Sequence, residues 1–239
     1  MEEVKGTKLI GIGNDGIQKL EEVESKVVEK IDIEKISINK DVDKDYVRAL
    51  LDGVDILLLT YNSEDKQALQ IVNAIGYMAE ERRVLSVGLD LNEKENKTEI
   101  KINREIKINN NNTDTLLNIV DMIIDSIADE CMISVDLTDI KEGLASEMGI
   151  KYSYGEFDKN NSVEEIANKL MESAEQTSDE LTGKKIMILV EMSSMYDIAY
   201  LNEVLNAIQD KSEDSYEAIF SLYTKEELKD KIKISLIYN

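Results

Sequence analysis

Apolar and polar residues alternate along the first half of the chain in blocks that predict strands and helices in strict succession. Strand patterns fall at 8–13, 33–39, 55–60 and 83–91, and helical patterns fall at 15–30, 44–53 and 64–82. The run at 55–60 is continuously apolar, which is typical of a strand buried on both faces. Strands and helices in this order predict a Rossmann-like α/β domain with a parallel sheet, which we assign to residues 1–112.

A long helical pattern then separates two differently built halves. Apolar residues recur at helical spacing over 113–130, which indicates a central helix buried along much of its length; we assign residues 113–132 to it. Later patterns predict a loop and helix at 133–149, strands at 150–157, 184–192, 216–223 and 231–239, and helices at 162–173 and 199–210. Residues 133–239 are therefore expected to form an α+β domain with a four-stranded mixed sheet.

The net charge of the chain argues against several classes of function. The 239 residues carry a formal net charge of −22, which disfavours binding to nucleic acid or anionic membrane surfaces and makes copies of the chain repel each other. We find no apolar run long enough to span a membrane, so we expect a cytoplasmic protein without direct membrane insertion. The chain has a single cysteine and no histidine, so a disulfide framework and histidine-based chemistry are excluded.

Residues 11–16, GIGNDG, match the glycine spacing of dinucleotide-binding loops. The motif is short and frequent by chance, and Asn39 stands where an acidic ribose-binding residue would end the second strand. A dinucleotide-dependent enzyme therefore stays open as one alternative.

Asp136 and Asp139 stand three residues apart in VDLTDI. Paired carboxylates in a loop can hold Mg²⁺ or polarise a water molecule. They can also simply cap the helix that follows, and from the spacing alone this second interpretation is favoured.

The order of these segments resembles the FtsZ/tubulin superfamily, and FtsZ most of all. ISVDLTDIKEGLASEMG resembles the FtsZ synergy loop and its helix, typically INLDFADVKTIMSEMG, and YEAIFSLYTKEELKDKIKISLIYN resembles ANIIFGAVIDEELGDEVRVTVIATG. In the first half, KLIGIG and DGVDILLLT resemble IKVIGVG and KGADMVFVTAG. The resemblance implies an FtsZ-like fold over nearly the whole chain.

The phosphate-binding loops depart from the family. The motif GGGTGTG, whose backbone N–H groups cradle GTP phosphates in the family, corresponds here to residues 64–70, EDKQALQ. Asn14 and Asp15 replace glycines in the N-terminal loop. We expect Ser63 to cap the next helix, with Glu64 and Asp65 in its first turn, so that the helix end is filled by the chain's own carboxylates.

Other family positions survive, and the resemblance implies roles for them. Gly11, Gly13, Asn39, Asp121, Asn103 and Arg104 would form a vestigial nucleotide site. Asp136 and Asp139 would be catalytic residues that reach over to a neighbouring subunit's nucleotide. We predict no metal site and no tightly bound cofactor, with weak binding of GTP or GDP as the alternative.

The resemblance implies an FtsZ-like cytoskeletal or cell-division protein that acts through protein–protein contacts. We expect it not to hydrolyse GTP by itself and to contact either another copy or an intact FtsZ head to tail, in a capping or regulatory role. A weak GTP-binding GTPase that polymerises is the alternative from the enzyme class.

Overall fold

A computed structural model describes residues 6–27, 31–92, 100–108, 113–127, 131–136, 138–140, 151–158, 160–173, 185–211 and 217–238. The chain divides into two compact units, residues 1–124 and 125–239. The division falls inside the central helix. The predicted domain ranges 1–112, 113–132 and 133–239 stay a prediction.

The first unit contains a five-stranded parallel sheet. Its strands are β1 (Thr7–Ile12), β2 (Asp32–Ile36), β3 (Ile56–Tyr61), β4 (Leu85–Asp90) and β5 (Arg104–Lys107). Its helices are α1 (Gly13–Val27), α2 (Lys44–Leu50), α3 (Lys66–Glu81) and the start of α4 (Thr113–Ser126). The strand order is β2-β1-β3-β4-β5, with every pairing parallel. All six residues of β3 are buried, as their continuous apolar pattern predicts.

The second unit contains a four-stranded mixed sheet. Its strands are β6 (Lys151–Asp158), β7 (Lys185–Met192), β8 (Glu217–Thr224) and β9 (Lys231–Tyr238), and its helices are α5 (Val163–Ser173) and α6 (Ile198–Gln209). The order is β6-β9-β7-β8, where β9 is antiparallel to both neighbours and β7 is parallel to β8. One face of this sheet packs against α5 and α6 to form the unit's apolar core.

The predicted fold class is thus confirmed: a Rossmann-like parallel sheet, a central helix, and an α+β part with a mixed four-stranded sheet. A local prediction at α5 is also confirmed, because Ser162 and Glu165 exchange hydrogen bonds as a capping box. Within the described residues, helices with the length and apolarity needed to cross a membrane are absent.

Candidate functional site: the carboxyl edge of the first sheet and an aspartate-capped loop in the second unit

The glycine-rich turn joins β1 directly to α1. Gly13 has a φ of +72°, the left-handed region that favours glycine. A Cβ added to Gly16 would lie 2.2 Å from the carbonyl oxygen of Thr60, so this glycine lets α1 pack against β3. Gly11 is buried in β1. Turn geometry and helix–strand packing therefore account for the spacing of GIGNDG without a bound dinucleotide.

The next strand–helix junction is capped by Asp65. Its Oδ1 accepts hydrogen bonds from the backbone N–H groups of Gln67 at 2.9 Å and Ala68 at 3.2 Å, and α3 begins at Lys66. The prediction that Ser63 caps this helix, with Glu64 and Asp65 in its first turn, is wrong by two residues. The physical conclusion survives, because a carboxylate of the chain does occupy the positive end of α3.

Ser63 is instead drawn into a buried network with Asp90, the last residue of β4. The Ser63 N–H donates to Asp90 Oδ1 at 2.9 Å, and the Asn92 N–H donates to the same oxygen at 3.0 Å. The Asn92 side chain also donates to Ser63 Oγ at 3.0 Å. Asp90 is fully buried, so the loop is fastened to β4 by charge-assisted hydrogen bonds. Asp90 is not among the residues predicted from the sequence, where its signal is a carboxylate at the end of an otherwise apolar strand.

The same loop closes over the start of α1. The Asn62 side-chain amide donates to Asp15 Oδ2 at 2.5 Å, and the Glu64 N–H donates to Asn62 Oδ1 at 2.9 Å. A Cβ placed on Gly13 would lie 3.3 Å from Asp65 Oδ2. The N-termini of α1 and α3 therefore lie close together at this edge, and each has a carboxylate of the chain beside it. Asp15 lies in the first turn of α1, and Asp65 caps α3.

Of the other predicted nucleotide-site residues, Asn39 is exposed in the turn after β2, at the same carboxyl edge as Gly13, where a Cβ added to Gly13 would lie 3.6 Å from Ile38 Cγ2. Asp121 lies half-buried within α4. Asn103 Oδ1 accepts from the Ser86 N–H at 2.8 Å, near the amino end of β4. Asp90 lies four residues after Ser86 along β4, a distance of about 13 Å.

Arg104 is the first residue of β5 and, like Asn103, lies at the amino end of the strand. These two residues are therefore not brought to the edge that holds Gly13 and Asp65. Residues 109–112, which follow β5, lie outside the described part of the chain.

In the second unit, Asp136 and Asp139 cap a helical turn reciprocally. The Asp139 N–H donates to Asp136 Oδ1 at 2.8 Å, and the Asp136 N–H donates to Asp139 Oδ2 at 3.3 Å. Residues 138–140 are helical, and residues 137 and 141–149 of the predicted 133–149 segment lie outside the described residues. Asp136 is exposed and Asp139 is half-buried, so the capping interpretation describes their geometry while both carboxylates stay accessible from solvent.

This loop is held against strand β8. Ile133 and Leu222 form an antiparallel bridge, and the Val135 N–H donates to the Ser126 carbonyl at 3.0 Å. The Cys131 thiol lies 3.0 Å from the carbonyl oxygens of both Ile133 and Leu222, and burial raises its pKa. Burial thus disfavours the thiolate form, and the thiol contributes structural contacts between this loop and β8.

A buried charge cluster lies next to this support. Lys225 Nζ, just after β8, contacts Asp125 Oδ2 at 2.5 Å and Glu191 Oε1 at 2.9 Å. Glu191 Oε2 has no hydrogen-bond partner within the described residues, and Lys233 Nζ lies 4.0 Å away. Burial raises the pKa of Glu191 against the opposing effect of Lys225. Burial opposes the charge of Lys225, yet the two carboxylates raise its pKa above the ordinary value.

Among the residues that the structure describes, no group of three or more Asp, Glu, Cys or His side chains is arranged to hold a metal ion. Asp136 and Asp139 are a pair, and their mutual hydrogen bonds already serve the turn that they begin.

The comparisons with known proteins agree with the fold. No family model matches the chain, and no curated protein matches it in sequence. Among solved structures, an FtsZ dimer from M. jannaschii matches with a TM-score of 0.73 at 11% identity, covering 98% of this chain and 88% of that one. CetZ from Methanosaeta thermophila matches with a TM-score of 0.63 at 11% identity, covering 98% and 86%.

CetZ1 from Haloferax volcanii, described as a GDP-bound monomer, matches with a TM-score of 0.64 at 10% identity, covering 97% and 93%. The chain therefore has the two-domain fold of the FtsZ/tubulin superfamily over nearly its whole length. The structural similarity establishes the fold. Because the sequence identity is only 10–11%, the activity has to be argued from the chemistry of the residues.

Proposed function

We propose that this chain is an FtsZ-like cytoskeletal or cell-division protein that does not bind or hydrolyse GTP productively and acts in the cytoplasm through protein–protein contacts. The observation that carries the proposal is the carboxylate of Asp65 on the N-terminal N–H groups of α3. A helix N-terminus is where a phosphate would bind, and here it is already occupied by an anion of the chain.

Electrostatics supports this closed phosphate site. A nucleotide phosphate at this edge would face Asp65 and Asp15, with Glu64 exposed beside them. One carboxylate about 4 Å from one phosphate charge costs about 4 kcal/mol at an effective dielectric of ~20. Two such carboxylates outweigh the gain of about 1 kcal/mol that an anion obtains from a helix dipole.

The cost of opening the loop supports the same conclusion. Moving residues 62–65 aside would break the hydrogen bond from the Ser63 N–H to buried Asp90 and the one from the Asn92 side chain to Ser63 Oγ. A hydrogen bond to a charged group contributes about 1.5–3 kcal/mol, and a buried carboxylate that loses such a bond would add a desolvation penalty. The closed form is therefore the stable ground state of this edge.

Asp136 and Asp139 indicate which face of this chain would contact a partner. By resemblance to the synergy loop, these two carboxylates would reach into the nucleotide site of a neighbouring subunit, and they remain accessible on a turn anchored to β8. A chain with this acidic face and a closed phosphate edge would cap or regulate a filament from one side. Its net charge of −22 favours an intact FtsZ over another copy as the partner.

Co-sedimentation with an intact FtsZ and GTP tests the proposal. We expect this chain to enter the pellet or to change the amount of FtsZ polymer, and Asp136→Asn with Asp139→Asn to abolish the effect while retaining side-chain oxygens for capping. The matched control is Asp41→Asn with Asp114→Asn, two exposed aspartates elsewhere, which removes the same charge. Equal behaviour of both double variants would contradict the proposed role of this loop, and long homofilaments of the chain alone in low-Mg²⁺ buffer would contradict the one-sided partner.

A further inference from the structure

An exposed apolar pair lies at the start of α6 in the second unit. Four large apolar side chains in the described part of the chain are strongly exposed: Tyr77, Met132, Met195 and Ile198. Met195 is 68% exposed and Ile198 is 50% exposed, and they stand only three residues apart. Single exposed apolar residues are ordinary, whereas a local concentration with a polar rim is typical of an interaction site.

The loop that carries this pair is firmly held. Ser193 Oγ donates to the Lys229 carbonyl, the Tyr196 hydroxyl donates to the Asp230 carbonyl, and the Asp197 carboxylate caps α6 by accepting from the Ala199 N–H at 3.0 Å. The rings of Tyr196 and Tyr200 also contact each other, with centroids 5.3 Å apart. Met195 and Ile198 are therefore presented on a preorganised support, which lowers the entropy cost of binding.

The rim of this surface is acidic. Burial raises the pKa of the Tyr196 hydroxyl to about 12, and the charges of Asp230 and Asp158 add to the effect. Burial likewise raises the pKa of Tyr200, with Asp158 and Glu203 adding to it. The carboxylates of Asp158, Asp230 and Glu203 therefore lie close enough to the two rings to act on them.

Two lysines lie near this surface. Lys231 is ion-paired with Glu156, and Lys229, whose carbonyl accepts the hydrogen bond from Ser193, is exposed. The Ser194 N–H donates to a further carboxylate, Glu226, at 3.2 Å. The local potential is therefore negative, like that of the chain as a whole.

We propose that Met195, Ile198 and the neighbouring carboxylates Asp158 and Asp230, here called the α6 face, bind a basic amphipathic segment of another protein. Apolar side chains of the partner would cover Met195 and Ile198, and its lysines or arginines would face the acidic rim. A second copy of the chain, anionic lipid and nucleic acid all bring negative charge to a negative surface. This binding requires no nucleotide and is independent of the role assigned to Asp136 and Asp139.

Fluorescence anisotropy with a labelled leucine–lysine amphipathic peptide tests the proposal on the full chain. We expect Met195→Ser with Ile198→Ser to weaken binding at least about tenfold, since two side chains lose their apolar contacts. Asp158→Asn with Asp230→Asn should weaken binding about threefold and reduce its dependence on salt. Tyr77→Ser, which removes an exposed aromatic residue from α3 in the first unit, is the matched control and should bind as the wild type does.

Equal peptide binding by the wild type and the Met195/Ile198 double variant would overturn the proposal, because it would indicate attraction by overall charge alone. Equal binding of a leucine–glutamate peptide would overturn the basic partner. A wild-type dimer that the same double variant converts to a monomer would identify a second copy as the occupant and would also overturn it. Hydrogen exchange should, in the expected case, slow at residues 194–200 when the peptide is added.

Discussion

Two of the aspartate-capped helical turns of this protein, those begun by Asp65 and Asp136, stand in contrasting surroundings. Asp65 is half-buried beside Gly13, in a loop that the buried Asp90 fastens to β4. Asp136 is exposed, and its partner Asp139 shares the cap. The same residue type therefore occupies a helix N-terminus in a hydrogen-bonded loop of one region and leaves a carboxylate exposed to solvent in the other, because burial and the surrounding hydrogen bonds differ.

The largest effect on stability is expected at the buried charge cluster of Lys225, Asp125 and Glu191, next to the Asp136 loop. Lys225→Met would leave Asp125 and Glu191 without their shared cation and should lower the free energy of unfolding by about 3–5 kcal/mol. Urea unfolding measures this change. Lys66→Met, at an exposed position at the start of α3, is the control and should leave stability nearly unchanged; a similar loss in both variants would contradict the importance of the cluster.

A smaller loss is expected at the closed loop of the first unit. Asp90→Ala removes the acceptor of the Ser63 and Asn92 N–H groups and should lower the free energy of unfolding by about 2–3 kcal/mol. Asp90→Asn retains one side-chain oxygen, so it should lose less than half as much. If both substitutions were neutral in urea unfolding, Asp90 would not be what fastens this loop.

The two caps themselves should contribute about equally to stability. Asp65→Ala and Asp136→Ala should each cost about 1 kcal/mol, and the corresponding asparagine variants should be close to wild type because asparagine caps nearly as well. Thermal unfolding of the four variants measures this. A cost well above 2 kcal/mol for Asp136→Ala would mean that its exposed setting has been misjudged.

The pH dependence of stability should report on the buried charge cluster around Glu191. Glu191 has a raised pKa in the folded state, so its contribution to stability is fully present below the ordinary value near 4.5 and is lost as the pH rises through the folded pKa. The groups that face it are Lys225, Asp125, Lys233 and Tyr152. The stability difference between wild type and Glu191→Gln should therefore shift in favour of the variant as the pH rises above about 4.5, measured by urea unfolding across pH; a parallel course of the two curves would contradict this.

The sequence predicted the element order well because strand and helix periodicities are local. The capping box of Ser162 and Glu165 was predictable for the same reason, since both partners lie within one turn. The sequence predicts the cap of α3 at Ser63, two residues before its observed place at Asp65, because the partners of Ser63 lie at and just beyond the end of β4 and are distant in sequence. Local propensity favours serine as a cap, but here Ser63 Oγ accepts from the Asn92 side chain and the Ser63 N–H donates to Asp90.

Long-range strand arrangement likewise explains why the predicted nucleotide-site residues do not all lie at one edge of the sheet. Gly11 and Gly13 lie at the β1–α1 junction, as their spacing indicates, whereas Asn103 and Arg104 stand at the opposite end of their strands. A side chain's place along a parallel strand depends on register, which residue spacing does not fix.

Substitution of the filled loop sharpens the difference between the two regions further. Glu64→Gly with Asp65→Gly removes two carboxylates, yet the loop stays fastened through Ser63, Asn92 and Asp90. We therefore expect this double variant to remain unable to bind GTP. Recovery of GTP binding by these two changes alone would mean that charge, and not the closed loop, was the barrier.

Titration calorimetry of the wild-type chain with GTP and Mg²⁺ tests the central claim most directly, with an intact FtsZ as the positive control. We expect no binding up to millimolar nucleotide, because Asp65 occupies the N-terminus of α3 and Asp90 holds the loop in that position. GTP binding with a Kd of about 1 µM, equivalent to about 8 kcal/mol, would contradict the closed phosphate site.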